Sequence, residues 1–284
     1  MTHTGIAPRA LVEALIRADG SAPLGQIYDV GRLLGLDDQR VRLTVRRMIA
    51  EGNYLQHGRG RQGTLQQTTG RVRSERQDES FVRFAYAQDA GQADWDGNWH
   101  LLSFSIPEKQ RAARDALRVA ALRFGGAAVH AGLYVSAHQW EPLLEPDIDR
   151  LGVGDSVLFA TTRDLRTATI SDPVVLAARF WPLPALARGY QELSDRCDEL
   201  GARLTLLTES AESHESTVEL LSIALRLAAA FDAALRDDPL LPPELLPPTW
   251  PAPLARARFR ELWGRIHSAL ERHEISLFAG YVFS

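Results

Sequence analysis

The densest chemistry in the chain lies between Gln39 and Glu51, where Gln39, Arg40, Arg42, Leu43, Arg46 and Arg47 alternate with Val41, Val45, Met48 and Ile49. The apolar set recurs at helical spacing, so one face of a helix turns inward and the arginines turn outward. Arg42 and Arg46 are four apart and share a face, one turn above the other. A guanidinium fork matches both the O6/N7 edge of guanine and phosphate oxygens, so such a row can enter the major groove of duplex DNA. Gln39, Arg40, Arg42 and Leu43, towards the helix start, are placed to read base edges, and Arg46 and Arg47 to anchor the helix. Further on, His57, Arg59 and Arg61 crowd a glycine-rich loop ending at Gly63, flanked by Tyr54-Leu55-Gln56 and Thr64-Leu65-Gln66. A hairpin tip of that kind would touch the flanking minor groove or backbone. Arg71, Arg73 and Arg76 suit phosphate contacts or plain linker solubility equally. Asp38 would repel phosphate and is read only as a cap.

An arginine-bearing amphipathic helix is, by itself, more often a solvated face than a reader of DNA. The surrounding elements change that balance. Leu11, Leu15 and Ile16 form a helical stripe that stops at the turn Asp19-Gly20-Ser21-Ala22-Pro23. A second helix around Gln26 to Leu34 carries Ile27, Val30, Leu33 and Leu34, with Gly35 closing it. Asp37 or Asp38 caps the third helix and Gly52 ends it. Three helices followed by an arginine-tipped hairpin are the order of a winged helix-turn-helix. The charge distribution agrees. Between Met1 and Arg76 twelve arginines face seven carboxylates, a net +5, while the remaining 20 cations and 29 carboxylates leave −9 for the rest. A basic head on an acidic body is expected when one domain meets phosphate and the remainder does not.

With 284 residues, 45% of them apolar, the chain can bury one large core or two to three modest ones. Gly70 to Gly97 is polar and reads as a linker or connecting helix. Trp99–Ile106, Glu108–Phe124, Ala127–Ala131, Leu133–Ala137, Trp140–Leu151 and Val157–Thr162 then alternate as βαββαβ, the split-βαβ order of a ferredoxin-like sandwich. Val174–Phe180, Leu186–Leu207, Thr217–Arg236 and Ala255–His273 are helical, with a proline-dense connection from Asp238 to Pro248 before the last. The expected architecture is α+β and multidomain: 1–75 a winged-helix DNA-binding domain, 76–98 a connecting segment, 99–170 a ferredoxin-like dimerisation domain, and 171–284 a helical domain for ligand sensing.

Catalysis finds little purchase. Cys197 is the one cysteine and lies in a polar helix without an evident histidine partner, and no Gly-x-Ser-x-Gly turn is present. His130 with His138, and His267 with His273, lack metal-ligand spacing and a third ligand, so no metal and no cofactor is expected. A magnesium-dependent nuclease on the ferredoxin-like segment would need a carboxylate at the end of its first strand. That strand ends Ser103-Phe104-Ser105-Ile106-Pro107, and Glu108 lies beyond the proline. No apolar run reaches the ~18 residues of a membrane span. No secretion signal is visible, so a cytoplasmic location is expected.

The chain resembles the PaaX family of bacterial repressors along nearly its whole length. The resemblance rests on Val41-Arg42-Leu43-Thr44-Val45-Arg46-Arg47-Met48 with Gly52, and on Trp99-His100-Leu101-Leu102-Ser103-Phe104-Ser105-Ile106-Pro107-Glu108 with Arg111 and Arg114-Asp115. Its most specific part is Arg236-Asp237-Asp238-Pro239-Leu240-Leu241-Pro242-Pro243-Glu244-Leu245-Leu246-Pro247, then Trp250-Pro251 and Phe259-Arg260-Glu261-Leu262. The resemblance implies a DNA-binding repressor of aromatic catabolism, released from its operator by an acyl-CoA thioester such as phenylacetyl-CoA. A homodimer on a partly palindromic double-stranded operator is the expected assembly. A CoA thioester needs cations for its phosphates and an apolar pocket for its acyl group. Arg111, Arg114, Arg118, Arg179 and Arg188, with Trp181, are the candidates to line such a site. A regulator answering to a non-CoA small molecule is the alternative.

Overall fold

The structure, a computed structural model, describes residues 6–209 and 214–272, with the helical backbone alone for 71–79, 209, 214 and 272. Contacts divide the chain into two compact units: Met1–Arg83, Glu192–Asp232 and Leu254–Ser284 form one, and Phe84–Gln191 with Ala233–Pro253 the other.

In the first unit α1 (Pro8–Ala14), α2 (Leu24–Leu33) and α3 (Asp38–Ala50) pack on one another beside a three-stranded antiparallel sheet. Its strands are β1 (Ser21–Pro23), β2 (Tyr54–His57) and β3 (Thr64–Gln67), in the order β1-β3-β2. Leu11, Val12, Leu15, Leu24, Ile27, Val41, Val45, Met48, Tyr54 and Leu65 are buried. Each large apolar side chain so placed contributes about 1.5–3 kcal/mol.

Two expectations are revised here. The turn ends at Gly20, which takes φ +76° while Ser21 N–H donates to Asp19 Oδ1 at 2.9 Å. Ser21–Pro23 then runs extended against β3, with Ser21 opposite Gln66 and Pro23 opposite Thr64. The buried face of α2 is Leu24, Ile27, Tyr28 and Gly31, whereas Val30 and Leu33 are only half-buried. The helix is rotated so that Gly31 comes under α1 and α3, where a Cβ would meet Leu11 and Val41 at 3.4 Å.

Of the two readings of the polar stretch, linker or connecting helix, it is largely helix: α4 (Thr69–Asp89) starts just behind β3 and runs without interruption through residues 75 and 76. The rest of the first unit comes from α8 (Leu183–Glu209), α9 (His214–Leu235) and α10 (Ala252–Arg272), each of which lies partly in the second. Phe231 of α9 stacks on Phe259 of α10 at 3.9 Å, and Arg258 of α10 pairs with Asp198 of α8 at 2.9 Å.

The second unit holds a four-stranded sheet, β5-β6-β4-β7, antiparallel at every pairing. Its elements run β4 (Trp99–Phe104), α5 (Arg111–Arg123), β5 (Ala127–His130), β6 (Leu133–Ser136), α6 (Glu141–Leu151), β7 (Val157–Thr162) and α7 (Pro173–Phe180). So β4 and β5 run parallel with β6 between them, the consequence of a helical crossover followed by a hairpin. On one face Leu102, Phe104 and Tyr134 meet Leu117, Ala121, Leu144 and Ile148 of α5 and α6. On the other, Trp99, Ala127 and Val135 meet Ala177, Trp181, Leu186 and the proline-rich residues Leu241 and Leu245. Both faces are covered, which is why these strands read as compact apolar runs. The proline-rich connection contains only a 3-10 turn, Pro243–Leu245. No helix among the described residues is long and apolar enough to cross a membrane.

Candidate nucleic-acid interface

Asp37, rather than Asp38, is the cap of α3: its carboxylate accepts the Arg40 N–H at 3.2 Å. Asp38, in the first turn, instead pairs with Arg32 of α2 at 3.1 Å. The helix ends where Gly52, at φ +76°, returns its N–H to the Ile49 carbonyl at 2.9 Å. Between these stops Val41, Val45 and Met48 are fully buried and Ile49 half-buried. Packing against α1, α2 and β2 fixes the roll of the helix. Gln39, Arg40, Arg42, Arg46 and Arg47 are therefore all held on the exposed side, with Leu43 among them at 53% exposure. Among the described residues no carboxylate pairs with Arg40, Arg42, Arg46 or Arg47. The Arg42 guanidinium lies over the ring of Tyr28, 5.4 Å from its centroid. Sequence reasoning missed Tyr28; the spacing Leu24, Ile27, Tyr28, Gly31 was the signal that could have found it.

The hairpin places His57 opposite Thr64 and leaves His57 and Arg59 exposed. Its loop is closely fitted to the start of α2. Leu24 N–H donates to the Gly63 carbonyl at 2.9 Å, and a Cβ on Gly63 would come within 2.9 Å of Leu24 Cδ1. Arg61 differs from Arg59 in being ion-paired with Asp29 of α2. Asp29 also lies 3.9 Å from Arg32, so Arg61, Asp29, Arg32 and Asp38 form a chain of alternating charges from the hairpin to the start of α3. The side chains of Arg71, Arg73 and Arg76 lie outside the described residues.

The ligand candidates belong to the second unit. Arg111 and Arg114 reach Glu108, at 3.8 and 2.9 Å. Arg118 on α5, Arg179 on α7 and Arg188 on α8 are exposed. Trp181 is buried, stacks on Trp99 at 6.2 Å, and donates its indole N–H to the Gly125 carbonyl at 3.1 Å. Trp181 is thus built into the core, its single donor satisfied. His100, not singled out from sequence, is buried against Glu141 at 2.8 Å. His130 is exposed; His138 meets the Leu240 carbonyl at 2.6 Å. His267 pairs with Glu271 at 3.3 Å, and His273 lies outside the described residues. Cys197 is buried, which pushes its thiol pKa up to about 11.

Two family models match the chain. The PaaX protein central Cas2-like domain covers residues 92–174, and the PaaX-like protein C-terminal domain covers 181–275. The chain belongs to the PaaX family. The first PaaX match spans β4 to β7 and the second all of α8, α9 and α10. Both begin after α4, so neither match covers the exposed row on α3. No curated protein matches the sequence. Among solved structures, the uncharacterized protein Rv0674 from Mycobacterium tuberculosis is similar at 18% identity and a TM-score of 0.48, over 94% of this chain and 96% of that one.

Proposed function

We propose that this PaaX-family chain is a homodimeric transcriptional repressor that grips double-stranded operator DNA with a winged helix. The observation that carries the reading is the exposed row on α3, held outward by a capped helix whose opposite side buries Val41, Val45 and Met48. The order α1-β1-α2-α3-β2-β3 supports a winged helix, with α3 entering the major groove and the β2–β3 loop lying along the flanking backbone. The antiparallel β5-β6-β4-β7 sheet supports a ferredoxin-like central fold. Gln39, Arg40, Arg42 and Leu43 read base edges, Arg46 and Arg47 anchor, and His57 and Arg59 touch phosphate or the minor groove. Two copies read half-sites about one helical turn, or a multiple of it, apart. Family membership supports control of aromatic catabolism, with release by an acyl-CoA thioester such as phenylacetyl-CoA. The exposed arginines Arg118, Arg179 and Arg188 are the first candidates to meet its phosphates, with Arg111 and the half-buried Arg114 having to leave Glu108 to join them.

Footprinting the protein upstream of its own gene, with and without a panel of aryl-CoA thioesters, tests both halves. A protected, partly palindromic site that one thioester abolishes is the expected result. The same thioester at 100 times its Kd should stabilise the fold by about 2.7 kcal/mol. A panel that neither lifts the footprint nor moves the melting temperature would sink the CoA half and leave the DNA half standing.

A further inference from the structure

We infer that Tyr28 of α2 is a positioning residue for Arg42, holding the guanidinium ready for a base edge without cancelling its charge; the inference rests on the reading of α3 as the DNA-contacting helix. The Arg42 guanidinium lies over the Tyr28 ring at 5.4 Å, within the range of a cation–π contact. Tyr28 is only 7% exposed and belongs to the buried face of α2, so the ring is a fixed platform rather than a second mobile side chain. Arg42 itself is exposed.

The neighbouring arginines show what the alternative would do. Arg32 is held by Asp38 at 3.1 Å, and Arg61 by Asp29. A carboxylate fixes a guanidinium but occupies its N–H donors and offsets its charge, which spoils it for a guanine edge or a phosphate. An aromatic face leaves the edge of the guanidinium open. The five N–H donors point outward in the plane of the group, and the ring meets only the plane itself. A long side chain that already occupies its working orientation loses less freedom when DNA arrives, so the bidentate contact is favoured over a looser one. The same contact is weak enough for Arg42 to adjust by a fraction of its length on docking.

The test uses the full chain with the operator defined by the footprint and a random duplex of equal length, comparing wild type, Y28F, Y28L, R42A and the Y28L/R42A pair. Y28F keeps the ring and should match wild type. Y28L should reduce the operator-to-random ratio roughly two- to fivefold, the worth of an exposed cation–π contact. In the R42A background Y28L should cost nothing further, because the residue it positions is gone. If Y28L lowers the melting temperature enough to unfold the helices, Tyr28→Met, equal in volume to leucine but longer and more adaptable, carries the same expectation. An unchanged ratio in Y28L, or an equal loss with and without Arg42, overturns the positioning role. An R42A chain that keeps full operator discrimination overturns the reading of α3 as well, so the two failures are distinct.

Discussion

Arg61 and Arg32 have carboxylates beside them, whereas among the described residues no carboxylate pairs with Arg42, over Tyr28, or with the exposed Arg59. These surroundings separate two kinds of loss. Arg42→Ala should cost about 1–3 kcal/mol on the operator and much less on random DNA, as expected for a side chain at a base edge. Arg59→Ala should weaken all sequences alike and reduce the slope of log K against log salt by about one. Fluorescence anisotropy on both duplexes at several salt concentrations measures both, and equal losses on the two DNAs for Arg42→Ala would contradict its reading role. Periodicity alone placed Gln39, Arg40, Arg42, Leu43, Arg46 and Arg47 outward, because a strongly amphipathic helix has one sensible way to turn. Tyr28 escaped because an aromatic beside an aspartate, Tyr28-Asp29, looks like a surface pair until α1 and α3 decide the roll of α2. Cys197 gives a separate prediction at this scale. With burial pushing its thiol up to about 11, the native chain should react slowly with an aromatic disulfide reagent at pH 8 and rapidly once unfolded. Fast native labelling would refute it.

Among the elements, legibility followed length and punctuation. Trp140–Leu151 stops at Gly152 and Val157–Thr162 is a short apolar run following Gly154, and the observed α6 and β7 end within a residue of expectation. β1 was lost because three residues cannot display a period, and Asp19-Gly20 shouts turn over whatever follows. The tightest element junction in the second unit is the turn between α5 and β5. A Cβ on Gly126 would stand 2.2 Å from the Trp140 ring, which is fully buried, so neither partner can yield. Gly126→Ala should therefore lower stability by about 1–3 kcal/mol, the usual cost of overpacking a core. Chemical denaturation reads it directly, and a midpoint equal to that of wild type would show that Trp140 can move. Nothing in the sequence distinguishes Gly126 from Gly125, because the need for a missing Cβ comes from a tryptophan fourteen positions on.

At the scale of the whole molecule, stability should carry a signature of pH. His138 faces the Leu240 carbonyl and so donates its Nε2–H there at 2.6 Å, with Phe84 edge-on at 5.0 Å. Burial pushes its pKa below the ordinary 6.5, against the pull of the Leu240 and Pro239 carbonyls, with His100 lowering it further and Asp96 opposing. The unfolded chain then holds more protons between the two pKa values, and stability is lost as pH falls below about 6.5. The melting temperature should drop between pH 7 and pH 5.5, and His138→Gln should flatten that drop. A variant profile parallel to wild type would assign the pH dependence to other groups. The division of the chain has a consequence of its own for how the protein is made. The polypeptide passes between the two units four times, at Arg83/Phe84, Gln191/Glu192, Asp232/Ala233 and Pro253/Leu254. The unit that carries α3 thus draws on three stretches that lie far apart in the sequence. A nascent chain halted before Leu254 owns every arginine of the candidate interface yet lacks part of the unit that frames it. Emergence of the stretch from Leu254 onward, rather than of α1 to α3, sets the moment at which that unit can close.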